Sequence, residues 1–204
     1  MKIRWRILSK LEKLNELFSK VKQSDGRKLI WALKPCMLAL IQPKFLEETC
    51  GGISLLVAAC LGNIMRLTAP TAPYNDDIMR RVFRLMVRTF QDLDNSASST
   101  FGKKLEVLGG MATLRTYCIM FYLECDGLIV HMFQCFFIIK IHHADTVIAH
   151  THSILSSCMR DCEAICRELQ TRVLSIWRRE HLVSPTTYKL TQGLVENNIG
   201  LFRR

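Results

Sequence analysis

Apolar residues recur at intervals of three and four along nearly the whole chain of 204 residues, which is the pattern of amphipathic α-helices. Leu8, Leu11 and Leu14 belong to the first such stripe, and it predicts a basic amphipathic helix within residues 1–27. No segment alternates apolar and polar residues for long enough to suggest a sheet. The sequence therefore predicts an all-α fold and excludes β-rich architectures.

The spacing of the predicted helices suggests a repeat. When neighbouring helices are paired as hairpins, the pairs begin near Pro35, Asp76, Asp126 and Glu163, about 40 residues apart, as in HEAT and armadillo arrays. We therefore predict a short α-solenoid of HEAT/armadillo-like helical hairpins, with residues 1–204 forming a single helical-repeat domain. An ordinary helical bundle is the alternative.

Prolines and glycines indicate where helices begin and break. Pro35 suits the first turn of a helix that runs to Pro43, because its ring fixes a helical φ and a first-turn residue needs no N–H partner. Gly109–Gly110 predicts a break or hinge in a helix over residues 105–121. Ser184–Pro185 predicts the start of the last helix.

The charge balance and the cysteines bear on partners and location. The chain has 28 Lys and Arg against 18 Asp and Glu, a net charge of +10, which favours polyanionic or acidic partners. Nine cysteines, mostly in apolar stretches, favour thiols in a reducing compartment over disulfides. The apolar run 128–141 is shorter than the about 20 residues that a bilayer requires, and the first residues do not resemble a secretory leader. We expect an intracellular protein without a membrane span.

Cysteines and histidines in the second half are the candidates for a metal site. Three cysteines recur every four residues and four histidines precede them: Cys158, Cys162, Cys166, His142, His143, His150 and His152. Zinc takes such ligands, but the Cys-x-x-Cys knuckle is missing. No phosphate-binding glycine loop, nucleophile elbow or carboxylate pair accompanies them. We predict no metal, no cofactor and no enzymatic activity.

One predicted helix has a basic face made of Arg80, Arg81, Arg84 and Arg88. Such a face could contact the phosphates of a nucleic acid, with strongly salt-dependent affinity. A charged helix face is more often simply solvated, and aromatic residues for base stacking are not interleaved here. Direct binding of nucleic acid is therefore the alternative to a protein-interaction function.

A turn with two prolines separates two predicted helices. We call it the proline turn, and it consists of Ala69, Pro70, Thr71, Ala72, Pro73 and Tyr74. Its prolines exclude a helix, and Asn75 can cap the helix that follows. A rigid apolar turn has little entropy to lose when a partner docks. Physical chemistry alone nevertheless favours the simpler role of a stiff connector.

The segment Leu56–Ile78, which contains the proline turn, resembles the signature region of a cohesin-associated family, the sister chromatid cohesion proteins called Pds, number five, in its plant-like branch. The resemblance continues in three shorter segments, Phe101–Leu108, Leu123–Asp126 and, more weakly, Val183–Leu190. It is strongest over residues 28–140 and weaker over 141–204. An apolar helix, an Ala-Pro-x-Ala-Pro-Tyr turn and an acidic helix start form a specific combination.

The resemblance implies a non-enzymatic HEAT-repeat scaffold in the nucleus. Such a scaffold would bind cohesin complex subunits and the factors that establish or release cohesion, and chromatin indirectly. Its implied roles are sister chromatid cohesion, chromosome segregation in mitosis and DNA repair. The resemblance also implies that the proline turn binds a partner, although Thr71 replaces an acidic residue of the family pattern and any contact that used that charge is in doubt. Family members are much longer, so a fragment or truncated homologue is expected.

Overall fold

A computed structural model describes residues 2–22, 26–48, 51–91, 93, 95–137, 145–161, 163–178 and 184–202. Cys50, His142, His143 and Cys162 lie outside these ranges, and the side chain of Cys166 is not described. Within the described ranges every regular element is an α-helix, as predicted. The helices are α1 Lys2–Lys20, α2 Gly26–Leu40, α3 Pro43–Leu46, α4 Gly51–Thr68, α5 Asp76–Thr89, α6 Phe101–Leu114, α7 Tyr117–Tyr122, α8 Asp126–Phe137, α9 Asp145–Asp161, α10 Glu163–Trp177, α11 Pro185–Asn197 and α12 Ile199–Phe202.

The chain forms two compact units. The first comprises Met1–Thr89 and Gly102–Leu114, and the second comprises Phe90–Phe101 and Arg115–Arg204. The single domain predicted for residues 1–204 stays a prediction.

The first unit is built around α4. This helix packs against α1, α2, α3 and α5, and its residues from Ile53 to Leu61 are all buried. An apolar surface on every side is what such a position requires. α4 is also long and apolar enough to cross a membrane, which the sequence analysis overlooked. Because 67% of it is buried, it equally meets the description of a protein core helix.

The prediction that a helix begins at Pro35 is wrong. Pro35 lies inside α2, which begins nine residues earlier, at Gly26. A proline within a helix removes the hydrogen bond from its own nitrogen to the carbonyl four residues back, here that of Trp31. Both side chains are exposed, so this bond is lost on the solvent side of the helix, while the opposite side of α2 packs against α4.

The predicted break at Gly109–Gly110 is also wrong. α6 continues through both glycines and ends at Leu114, because no residue there needs a non-helical φ. The break comes at Arg115, whose φ of 52° lies in the left-handed region. Its guanidinium bonds to the Asp161 carboxylate at 2.8 Å and to the Tyr117 hydroxyl at 3.3 Å. The contact with Asp161, 46 residues away, accompanies a backbone conformation that the local sequence does not suggest.

The second unit packs α9, α10 and α11 against one another, with α8 against α10 and α7 against α8. Phe90 and Phe136 contact each other in its core, with ring centroids 5.6 Å apart. The predicted start of the last long helix is confirmed, since the Ser184 hydroxyl accepts a hydrogen bond from the Thr187 amide at 3.1 Å, ahead of Pro185. The short helix α12 follows α11 and was not predicted from the sequence.

Candidate partner-binding surface

The proline turn closes the helical hairpin of α4 and α5. α4 ends regularly, with the Ala69 amide donating to the Met65 carbonyl at 3.0 Å. The Thr71 amide then donates to the Thr68 carbonyl at 3.0 Å, on the far side of Pro70. Since neither proline has an N–H to donate, α4 cannot propagate past this point. The turn is thus a defined structure with its own hydrogen bond.

Tyr74 anchors the turn to a neighbouring helix. Its hydroxyl donates to the Met37 carbonyl of α2 at 3.1 Å, a contact between residues 37 positions apart. Burial raises the pKa of Tyr74 above its ordinary value of 10.0, so the hydroxyl keeps the proton that this bond requires. Tyr74 belongs to the candidate surface predicted from the sequence, and its bond to α2 gives it a supporting role there.

Exposure divides the proline turn into a crest and a base. Pro70, Thr71 and Ala72 are exposed and form the crest, whereas Ala69, Pro73 and Tyr74 are half-buried and form the base. A partner would therefore contact three small side chains that the rigid backbone of the turn holds in place. The geometry suits both roles considered for the turn, because a stiff connector and a docking ridge both require this rigidity.

The helix that follows the turn begins as predicted. The Asn75 side-chain carbonyl accepts from the Ile78 amide at 3.0 Å, and Asp76 and Asp77 occupy the first turn of α5. The cap satisfies an amide that the helix leaves without an internal partner, and the acidic residues complement the helix dipole. α5 is consequently fixed at the end next to the proline turn.

The four arginines of the predicted basic face have different surroundings. Arg81 pairs with Glu47 at 2.8 Å, and Arg88 donates to the Glu48 carbonyl at 3.4 Å, so both contact the segment after α3. Arg80 pairs with Asp77 one turn earlier, at 3.1 Å, while Arg84 is exposed. An incoming phosphate would have to compete with existing carboxylates at Arg80 and Arg81.

Partly buried polar contacts that no sequence pattern predicted connect α1 to α4. The Asn63 amide donates to the Asn15 side-chain oxygen at 3.1 Å, and the Asn15 amide donates to the Glu106 carboxylate at 3.1 Å, which joins α4, α1 and α6. Arg66 donates to the carbonyls of Phe18 and Val21 at 2.8 and 3.0 Å. These carbonyls lie at the end of α1, where the helix dipole favours a cation. No local sequence pattern predicts such long-range pairings.

The candidate metal ligands are only partly within the described residues. Cys158 is fully buried in α9, and His152 lies with its Nε2 3.2 Å from the Asn197 side-chain nitrogen of α11. Within the described part of the chain, no three side chains of the ligand-forming types come together as a metal site would require. The six cysteines whose side chains are described are all thiols.

Comparison with solved structures identifies the fold. The chain resembles a protein solved in "Structure of the Pds5-Scc1 complex and implications for cohesin function", with a TM-score of 0.80 over 95% of this chain and 30% of that one. The two sequences are 20% identical. That fold is a helical solenoid of HEAT repeats, and the predicted fold class is confirmed.

Comparison with known sequences identifies the family. Two Arabidopsis thaliana proteins, the sister chromatid cohesion protein PDS5 homologs C and E, are 33% and 31% identical to this chain over 94% and 93% of its length. The chain spans 22% and 19% of these relatives, about a fifth of their length. The profile of the family described as "Sister chromatid cohesion protein PDS5 protein" matches residues 6–200. This chain therefore belongs to the PDS5 family of sister chromatid cohesion proteins.

Proposed function

We propose that this chain is a scaffold segment that binds the cohesin complex in sister chromatid cohesion. The observation that carries the proposal is membership of the PDS5 family over residues 6–200, nearly the whole chain. The fold supports it, because α-solenoids present extended surfaces for protein partners. The solved relative that shares this fold was determined in a complex with Scc1, as its name states.

The proline turn is the surface that we propose for partner capture. Its crest is exposed, and its base is held by the bond between the Tyr74 hydroxyl and the Met37 carbonyl. Binding to such a preformed turn orders little backbone, which reduces the entropic cost of association. The exposed Thr71 offers a neutral hydroxyl at the centre of the crest. A partner that fits this crest can gain from shape and hydrogen bonds there without needing a positive charge.

The finer parts of the proposal follow from the same family membership. We assign the protein to the nucleus, where chromosomes are, and to chromosome segregation and DNA repair. Factors that establish or release cohesion are the further partners proposed for this segment. Contact with chromatin would be indirect, through cohesin.

The test is capture of cohesin from nuclear extract by the purified chain, at physiological salt and with nuclease present. Pro70→Ser combined with Pro73→Ser should reduce capture at least about fivefold with unchanged helicity, because the rigid crest is lost. Pro185→Ala is the matched control, since Pro185 is an exposed proline at a helix start elsewhere. Equal capture by all three chains would show that cohesin binds but not at this turn. No capture by the unchanged chain would reject the scaffold proposal.

The second candidate function is direct binding of nucleic acid through the basic face of α5. The net charge of +10 and the exposed Arg84 favour it. Reversal of Arg80, Arg84 and Arg88 to glutamate should abolish any such binding but leave cohesin capture largely intact. If binding to duplex DNA is already absent at physiological salt in the unchanged chain, this candidate is rejected.

A further inference from the structure

The outer face of α2 is exposed and apolar. Among the α2 side chains that the structure describes, from Ile30 to Leu40, six are exposed, and they recur at helical spacing along one side: Trp31, Ala32, Lys34, Pro35, Leu38 and Ala39. The two largest, Trp31 and Leu38, are 78% and 50% exposed. The solvent face of a helix is normally polar, and Lys34 is the one charged residue here. We call these six residues the α2 face.

The other side of α2 already has its partner within the unit. Ile30, Leu33, Met37 and Leu40 are half-buried or buried, and α2 packs against α4. The apolar residues of the α2 face are therefore not needed for the core of the unit. An exposed apolar patch that the core does not use is a mark of an interaction site.

The charge of α2 indicates what would cover its exposed face. The sequence of this helix, Gly26–Leu40, contains three basic residues, Arg27, Lys28 and Lys34, and no Asp or Glu. Lys34 stands exposed between Trp31 and Leu38 along the helix. An apolar segment that also carries acidic residues would bury the apolar side chains and neutralise this charge.

Other occupants match the α2 face less well. A second copy in a symmetric dimer centred on the α2 face would bring the two Lys34 ammonium groups together, which is unfavourable. A nucleic acid would need several cations presented together on one surface, whereas five of the six residues of the α2 face are apolar.

The length of the α2 face suggests the form of the partner. Trp31 and Leu38 are seven residues apart, which is about 10 Å along a helix, or two turns. A partner helix with apolar residues at positions i, i+3 or i+4 and i+7 can pack along this distance. We propose that the α2 face is a second docking surface of this chain, for an acidic amphipathic helix of a protein partner. This proposal does not depend on cohesin binding or on the proline turn.

The test is selection of a random 16-residue peptide display library on the folded chain. Three variants are selected in parallel, Trp31→Ser, Lys34→Glu and Tyr122→Ser, and circular dichroism confirms that each is folded. Tyr122 is the matched control because it is 80% exposed in α7, in the other unit.

The expected peptides are net negative, with apolar residues at the helical spacing above. Trp31→Ser should weaken their binding at least about tenfold, as loss of an aromatic anchor does, while Tyr122→Ser leaves it unchanged. Lys34→Glu should shift the selection towards basic peptides.

Enrichment of peptides that bind equally well to Trp31→Ser would overturn the proposal. Peptides that depend on Trp31 but are neutral or basic would overturn the acidic chemistry. Concentration-dependent dimerisation that Trp31→Ser abolishes would assign the α2 face to a second copy instead. Trp31-dependent binding to phosphatidylserine vesicles, without peptide enrichment, would assign it to a membrane surface.

Discussion

The hydroxyl of Tyr74 provides the sharpest test of how the proline turn is held. Tyr74→Phe removes one oxygen and leaves the ring in place, so the change isolates the 3.1 Å hydrogen bond to the Met37 carbonyl. A neutral hydrogen bond of this kind contributes about 1 kcal/mol net to the free energy of unfolding. For a chain of this length that loss lowers Tm by about 2–4 °C.

The assay has a global and a local readout. Urea unfolding followed by circular dichroism should show the loss of about 1 kcal/mol. Hydrogen exchange of the Thr71 amide, which bonds to the Thr68 carbonyl within the turn, should become about fivefold faster if the turn opens more often. Cohesin capture should fall less than it does when the prolines are replaced, because the crest itself is intact.

Tyr122→Phe is the matched control for the stability measurement. Tyr122 is 80% exposed, and loss of its hydroxyl should leave unfolding and exchange unchanged. If Tyr74→Phe behaves like this control in both readouts, the hydroxyl does not hold the turn, and α2 does not pre-organise it.

Three further predictions concern the first unit. Cys60 is fully buried, and burial, with a smaller effect of the Glu106 charge, raises the pKa of its thiol from 9.0 to about 12. The folded chain therefore keeps a proton that the unfolded chain releases above pH 9. The free energy of unfolding consequently falls between pH 9 and 12, by up to about 1.4 kcal/mol per pH unit. Cys60→Ala should remove this contribution to the pH dependence of stability, measured by urea unfolding at pH 8, 10 and 11. Arg66→Met should lower the free energy of unfolding by about 2 kcal/mol, because two hydrogen bonds from a charged group to the end of α1 are lost. Hydrogen exchange should become faster in α1 alone. An equal increase in exchange throughout the chain would contradict the assignment of Arg66 to α1. Asn75→Ala should lower the free energy of unfolding by about 1 kcal/mol, and Asn75→Ser should lower it much less, because serine also caps helices. Equal losses for the two variants in urea unfolding would mean that the cap does not stabilise α5.

The local signals in the sequence predicted local structure well. The cap at Asn75 and the helix start at Ser184–Pro185 appear as expected, because a capping side chain and the amide it binds are only three residues apart. The proline turn interrupts the helices as expected, since two prolines without N–H groups act on their own neighbours. Family membership could likewise be inferred from a contiguous segment that contains this turn.

The two local predictions that failed show the limit of such signals. Pro35 was expected to begin a helix, but the stability of α2 comes from packing against α4, which outweighs one lost hydrogen bond. Gly109–Gly110 was expected to break a helix, but the break lies at Arg115, where contacts with Asp161 and Tyr117 support a left-handed backbone. In both places a partner distant in sequence decides the local conformation.

Local sequence patterns are thus sufficient to predict the helical class, the helix starts at Asp76 and Pro185 and the rigid proline turn, because each depends on interactions within a few residues. Tertiary packing, in contrast, sets the bond of Tyr74 to α2, the pairing of Arg81 with the Glu47 carboxylate, and the exposure of the α2 face. These features depend on which side chains meet across 30 or more residues, or on which face of a helix remains uncovered. The apolar pattern predicts that a helix packs, and the packing of the whole unit determines which face it uses.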